Sequence, residues 1–148
     1  MSVSLLDVNI LLALVWPSHA FHASVGRWFQ RNRAARWATC TLTQAGFVRL
    51  HSQPIITDYT VNVQKSLELL TMTCREPDHE FWPHANGLSD LLPEIRNRLI
   101  DYQQLTDAIL LDLAIRRGGR LVTLDRRVAN LLAPNSPHLS SLEIISQE

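Results

Sequence analysis

Cysteine, lysine and net charge are what this sequence of 148 residues has least of. Its two cysteines, Cys40 and Cys74, stand far apart with no second thiol near either. That excludes a disulfide framework and a zinc knuckle, and leads us to expect reduced thiols in a cytoplasmic protein. Lys+Arg and Asp+Glu number 14 each, for a formal net charge of +0. The basic surface of an electrostatically driven nucleic-acid binder is therefore missing, and any such binding must come from local patches. Lys65 is the sole lysine, and the other cations are arginine, the side chain suited to planar, bidentate contact with phosphate or carboxylate. The longest apolar stretch, "ILLALVW", falls far short of the roughly 18 residues that span a bilayer, and no basic leader precedes it. No membrane association is expected. Phosphate-cradling and nucleophile motifs are absent too: there is no P-loop, no GxGxxG and no GxSxG. "HEFWPH" sets its second His one place too far for a zinc protease, and Pro83 forbids the helix that would align the pair.

What is present is a hydrophobic fraction of 46%, enough for one globular domain over residues 1–148 with a sizeable core. Val3 to Leu6 reads as a buried strand that stops at Asp7, and "NILLALVW" continues as a helix to Pro17. In "HAFHASVGRWFQRNRAA", Phe21, Val25, Trp28 and Phe29 fall at helical spacing with Arg27, Arg31 and Arg33 facing out. "RWATCT" is strand-like, "LTQAGFVRLHSQ" is helical up to Pro54, and "VNVQKSLELLTMTCRE" forms another helix. After a short strand in "DHEFWPH" and a helix starting near Pro93, "LTDAILLDLAIRRGG" is the clearest helix, with basic residues in its last turn and a Gly-Gly stop. "RLVTLD" repeats the opening pattern of an apolar strand ended by Asp, "RRVANLLAP" is a short helix, and "SLEIIS" closes the series as a strand. Such alternation predicts an α/β protein with a mostly parallel sheet covered on both faces.

Ligands of open parallel sheets bind outside the carboxyl ends of the strands. Asp7 and Asp125 both occupy that position, after "VSLL" and "LVTL", and Asp107 starts the long helix that precedes the second of them. Three carboxylates meeting on one rim repel one another, and a hard divalent cation with oxygen ligands, Mg2+ or Mn2+, relieves them. Each also stands where an Asp caps a helix, an interaction worth about 1 kcal/mol. None has the Glu or Gln three places on that completes a capping box, since those positions are Ile10, Leu110 and Val128. Asp112 lies about 140° around the helix from Asp107 and belongs to another face.

The segments "LLDVNILLAL", "TLTQAGFVRL" and "LTDAILLDLAIRRGGRLVTLDRRV", in this order of strands and helices, resemble the PIN-domain family, most closely the VapC-type toxins of bacterial toxin-antitoxin modules. The resemblance implies an α/β/α sandwich around a parallel sheet and a ribonuclease whose cleft acids bind Mg2+ or Mn2+. By position Asp7, Asp107 and Asp125 match family acids, and Asn9 matches the small polar residue after the first of them. Gln44 departs from the pattern, standing where the family commonly has Glu. A carboxamide offers an oxygen but no charge, so the expectation is weaker metal affinity and one tightly held ion. Gln44 is also open to the plainer reading of a polar helix residue with no catalytic part.

Arg116, Arg117, Arg120, Arg126 and Arg127 cluster in sequence around the Asp125 strand and are candidates for holding an RNA backbone, with the run Arg27 to Arg36 as a second patch. Solvated helix faces are the competing explanation. Trp16, Trp28 and Trp82 look exposed and suggest a partner surface. The resemblance implies a homodimer and a small antitoxin protein crossing the cleft. The rival expectation is a catalytically weakened PIN-like module that binds RNA or a partner protein without cleaving. A receiver domain phosphorylated on Asp is disfavoured, because it expects a Lys near the last strands and Lys65 lies in a middle helix.

Overall fold

The alternating strands and helices build a five-stranded sheet in a computed structural model that describes residues 2–58 and 60–146. Its strands are β1 (Ser4–Leu6), β2 (Trp37–Thr39), β3 (His79–Phe81), β4 (Arg120–Thr123) and β5 (Leu142–Ile144). They lie in the order β3-β2-β1-β4-β5, with every neighbouring pair parallel. The chain lays down β1, β2 and β3 in one direction, then returns to set β4 against the free edge of β1. That reversal between β1 and β4 is where open parallel sheets place their ligands.

Side chains alternate across each strand, so consecutive apolar residues feed two separate cores. Leu5, Ala38 and Leu121 face α6 (Pro93–Arg98) and α7 (Leu105–Arg116), packing on Ile95, Ala108, Leu111 and Ala114. Leu6, Trp37 and Val122 face α1 (Val8–Val15), α2 (His22–Asn32) and α3 (Thr41–His51), meeting Ile10, Phe29 and Phe47. The short α4 (Pro54–Thr57) and α5 (Val63–Cys74) complete the second layer. These three layers are the expected α/β/α sandwich. No helix among the described residues is long and apolar enough to cross a membrane.

Glycine is required where α7 turns into β4. Gly118 takes φ +68°, the left-handed region that ends helices, and a Cβ on Gly119 would stand 2.6 Å from Trp82 Cη2 and from Val3 O. The long helix can therefore hand over directly to the strand that carries Asp125.

Several sequence expectations need correction. Trp28 and Trp82 are only 5% and 4% exposed, because one lies on the inner stripe of α2 and the other packs over Gly119. Their indole N–H groups donate to Glu143 and Glu80, so neither belongs to a partner surface. Arg126–Leu131 forms 3-10 turns instead of an α-helix, a short segment halted before Pro134. Asp112 does lie on another face from Asp107: it accepts from Leu92 N–H at 2.8 Å and from Arg116 Nε at 2.8 Å, tying α6 to α7.

Candidate functional site

Asp7 leaves the end of β1 in extended conformation (φ −62°, ψ 159°) and serves as the N-cap of α1. Its Oδ1 accepts from Val8 N–H at 2.7 Å, so the capping role foreseen from sequence is real. Its Oδ2 accepts from Thr123 Oγ1 at 2.6 Å, across the β1–β4 junction. The same Thr123 oxygen accepts from Asp125 N–H at 3.1 Å. One hydroxyl thus ties the two acids together, and sequence reading missed it. Its signal was the polar residue two places before Asp125 in an otherwise apolar strand, on the neighbour of the strand that carries Asp7.

Burial is the main force on Asp7, which is 6% exposed. It pushes the carboxyl above its ordinary range, the nearby Asp125 adds to the rise, and the bonds from Thr123 and Val8 partly offset it. Asp107, in the first turn of α7, is pushed up to about 6 by burial first and then by the negative charges of Asp7 and Asp125. Those mutual effects place all three carboxylates within one electrostatic neighbourhood. Asp125 moves the other way, held below the usual carboxylate range by hydrogen bonds from Arg127. Among the described residues, no three Asp, Glu, His or Cys side chains are gathered tightly enough to enclose an ion as they stand.

Two recesses flank the acids. One of about 370 Å3 is lined by Asn9, His19, Phe21, Leu124, Asp125 and Arg126. The other, about 190 Å3, has Asp107 and Arg127 on its wall together with Ile100, Asp101 and Gln104. Asn9, Arg126 and Arg127 therefore stand beside the acids. His19 and Phe21 join the rim without having been foreseen, brought there by the turn between α1 and α2. An apolar cavity of about 420 Å3 between α3 and α7 carries none of the three aspartates.

The other candidates lie elsewhere. Arg116 and Arg117 end α7, about 15 Å along the helix from Asp107. Arg116 pairs with Asp112 and donates to Asp90 O, and Arg117 stacks over Trp82. Arg120 begins β4 and pairs with Glu143 at 3.0 Å, at the opposite end of the strand from Asp125. These three do not line the acid rim. Within the second run, Arg33 and Arg36 are taken up by Asp78 and Glu80, while Arg27 and Arg31 remain exposed on α2.

Gln44 directs its amide nitrogen to groups other than the acids. Its Nε2 donates to Thr39 Oγ1 at 3.0 Å and lies 3.8 Å from Cys74 Sγ. Thr39 also bonds His79 Nε2 at 2.8 Å and, two places from Trp37, faces the Leu6 side of the sheet. Asp7, two places from Leu5, is on the other side.

The importance of Thr123 is open to measurement. Thr123→Val keeps the shape but leaves the buried Asp7 carboxylate one donor short, a loss of about 1–3 kcal/mol in urea unfolding at neutral pH. Thr123→Ser, which restores the hydroxyl, is expected to recover most of it.

Residues 4–132 match the family model described as PIN domain. The chain is 41% identical over 129 residues to Ribonuclease VapC38 of Mycobacterium tuberculosis (strain ATCC 25618 / H37Rv), covering 87% of this chain and 89% of that protein. It is 38% identical over 141 residues to Ribonuclease VapC44 of Mycobacterium tuberculosis (strain CDC 1551 / Oshkosh), covering 94% and 99%. Ribonuclease VapC39 of the same species is 36% identical over 127 residues, covering 86% and 91%.

Proposed function

The chain belongs to the PIN domain family, and from that premise we propose that it is a divalent-metal-dependent ribonuclease, the toxin of a toxin-antitoxin pair, cutting RNA phosphodiesters at the rim formed by Asp7, Asp107 and Asp125. The observation that supports the reading best is the placement of Asp7 and Asp125 at the adjacent carboxyl ends of β1 and β4, joined through Thr123 at the strand-order reversal, with Asp107 pushed up to about 6 by burial first and then by their charges.

The donor set fits Mg2+ or Mn2+: all three groups offer hard carboxylate oxygens, and their mutual repulsion is what a cation removes. A cation bound by these residues would supply a water of lowered pKa and positive charge opposite the phosphate oxygens. The protein's own groups divide the remaining work. Thr123 and Val8 hold Asp7 in one orientation. Asp7 or Asp107 would accept the proton of the attacking water. Asn9, Arg126 and Arg127 face the recesses where a phosphate backbone would run.

The rival reading of a weakened binding module rested on Gln44. The bond from Gln44 to Thr39, itself bonded to His79, supports reading the three aspartates as a complete set without it. As partners we propose RNA, an antitoxin protein and a second copy of the chain in a homodimer. Both cysteines are free, as suits the reducing cytoplasm we propose for it. The test is incubation of purified protein with a total-RNA pool across Mg2+ and Mn2+ titrations. Discrete products that disappear with EDTA are expected, and their absence at every metal concentration would reject the nuclease.

A further inference from the structure

Arg127 grips Asp125 more fully than any other cation grips an acid of this rim. Its backbone N–H donates to Asp125 Oδ1 at 2.9 Å, its Nε stands 3.1 Å from Oδ1, and its Nη2 stands 2.9 Å from Oδ2. The guanidinium spans both carboxylate oxygens as a fork, the strongest form of charge-assisted pairing. Yet the Arg127 side chain is 77% exposed and among the described residues bonds nothing but Asp125, so no packing keeps it there. It also borders the recess that holds Asp107. Arg126, one place earlier, lines the other recess and makes no ion pair among the described residues.

We propose that Arg127 is a built-in counter-cation of the acid rim, competing with the divalent metal for Asp125 and, once displaced, turning its freed fork to the RNA phosphate. This rests on the metal-dependent ribonuclease reading above and adds to it a residue that sets metal affinity and substrate binding in opposite directions. The geometry supports an exchange. Asp125 keeps its backbone bond from Arg127 N–H when the guanidinium leaves, so the carboxylate stays in place while both oxygens lose their cationic partner. The released side chain is long, exposed and beside Asp107, and phosphate suits its fork as well as carboxylate does.

The experiment is Mn2+ binding by titration calorimetry on the full chain, comparing wild type with Arg127→Ala, Arg127→Lys and Arg126→Ala. Arg127→Ala is expected to bind Mn2+ about tenfold more tightly, and Arg127→Lys, which keeps the charge but lacks the fork, to fall between it and wild type. Arg126→Ala removes equal charge without a clamp and is expected to change the affinity less than about twofold. At saturating Mn2+, Arg127→Ala should raise the KM for RNA severalfold with little change in kcat. Equal Mn2+ affinity in Arg127→Ala and wild type would overturn the clamp alone, as would an equal gain in Arg126→Ala, which would make the effect one of bulk charge. If no variant binds Mn2+ at millimolar concentration, the metal site itself fails and the clamp with it.

Discussion

Asp7→Asn is expected to lower RNA cleavage on the order of 10³-fold, equivalent to the several kcal/mol that a metal's charge contributes at a phosphoryl transition state, while leaving the protein folded. The two halves of that outcome have separate origins. Asn is as good an N-cap as Asp, so the bond from Val8 N–H survives, and the Thr123 hydroxyl can turn to accept from the new amide. The substitution also removes a carboxylate whose pKa burial has raised, so unfolding stability should stay within about 1 kcal/mol of wild type or increase. A capping residue without a chemical role would show neither the loss nor the contrast. Asp7→Ala supplies the comparison: it removes the cap as well and should cost a further 1–2 kcal/mol or so in stability. Parallel urea unfolding and end-mapped cleavage on one preparation measure both. Cleavage at the wild-type rate by folded Asp7→Asn would reduce Asp7 to its cap.

The rim acids could be read from sequence because each is marked by its place relative to an element. Asp7 and Asp125 follow short apolar strands, and Asp107 opens the longest apolar helix. The parallel sheet then forces them together, since it sets the carboxyl ends of β1 and β4 side by side. Thr123 has only a local mark, its polarity two places before Asp125, and the sequence does not name its partner. Its role comes from the β1–β4 register, in which Leu6 stands opposite Val122, and no local pattern announces that pairing. His19 and Phe21 reach the rim through a turn whose direction the sequence does not encode in any periodic signal.

The arginines divide into two groups for a related reason. Closeness in sequence to Asp125 is not closeness in space: Arg120 begins β4 and Asp125 follows its end, five residues on and about 16 Å along extended chain. Arg116 and Arg117 stand at the last turn of α7, the opposite end of that helix from Asp107. Only Arg126 and Arg127, which follow the strand instead of preceding it, remain beside the acid. Gln44 shows a different limit: the family resemblance marks its position on α3, while the side-chain direction that sends it to Thr39 is decided by the polar groups beneath the helix.

Those same constraints on the acids predict how the site responds to pH. With Asp107 raised to about 6 by burial and by its two acidic neighbours, protons compete with metal over a range where an ordinary Asp is already ionised. Mn2+ affinity should be level above about pH 6 and fall about tenfold per pH unit below it, and Asp107→Asn should lack that limb. Metal binding pulls the proton off, so the lower limb of the cleavage profile should move to lower pH as Mn2+ is raised. In the metal-free protein the sign reverses. The folded pKa lies above the unfolded value near 3.9, so the folded state binds the proton more tightly and its stability declines as pH rises through the window between the two. Below that window both states are protonated and the penalty vanishes; above about 6 it is complete. Asp107→Asn should therefore melt higher than wild type at pH 7, and the gap should close as pH falls toward 4. Melting curves of both proteins in EDTA across that range measure it, and a gap that is constant with pH would mean that neither burial nor the charges of Asp7 and Asp125 raise Asp107 in the folded protein.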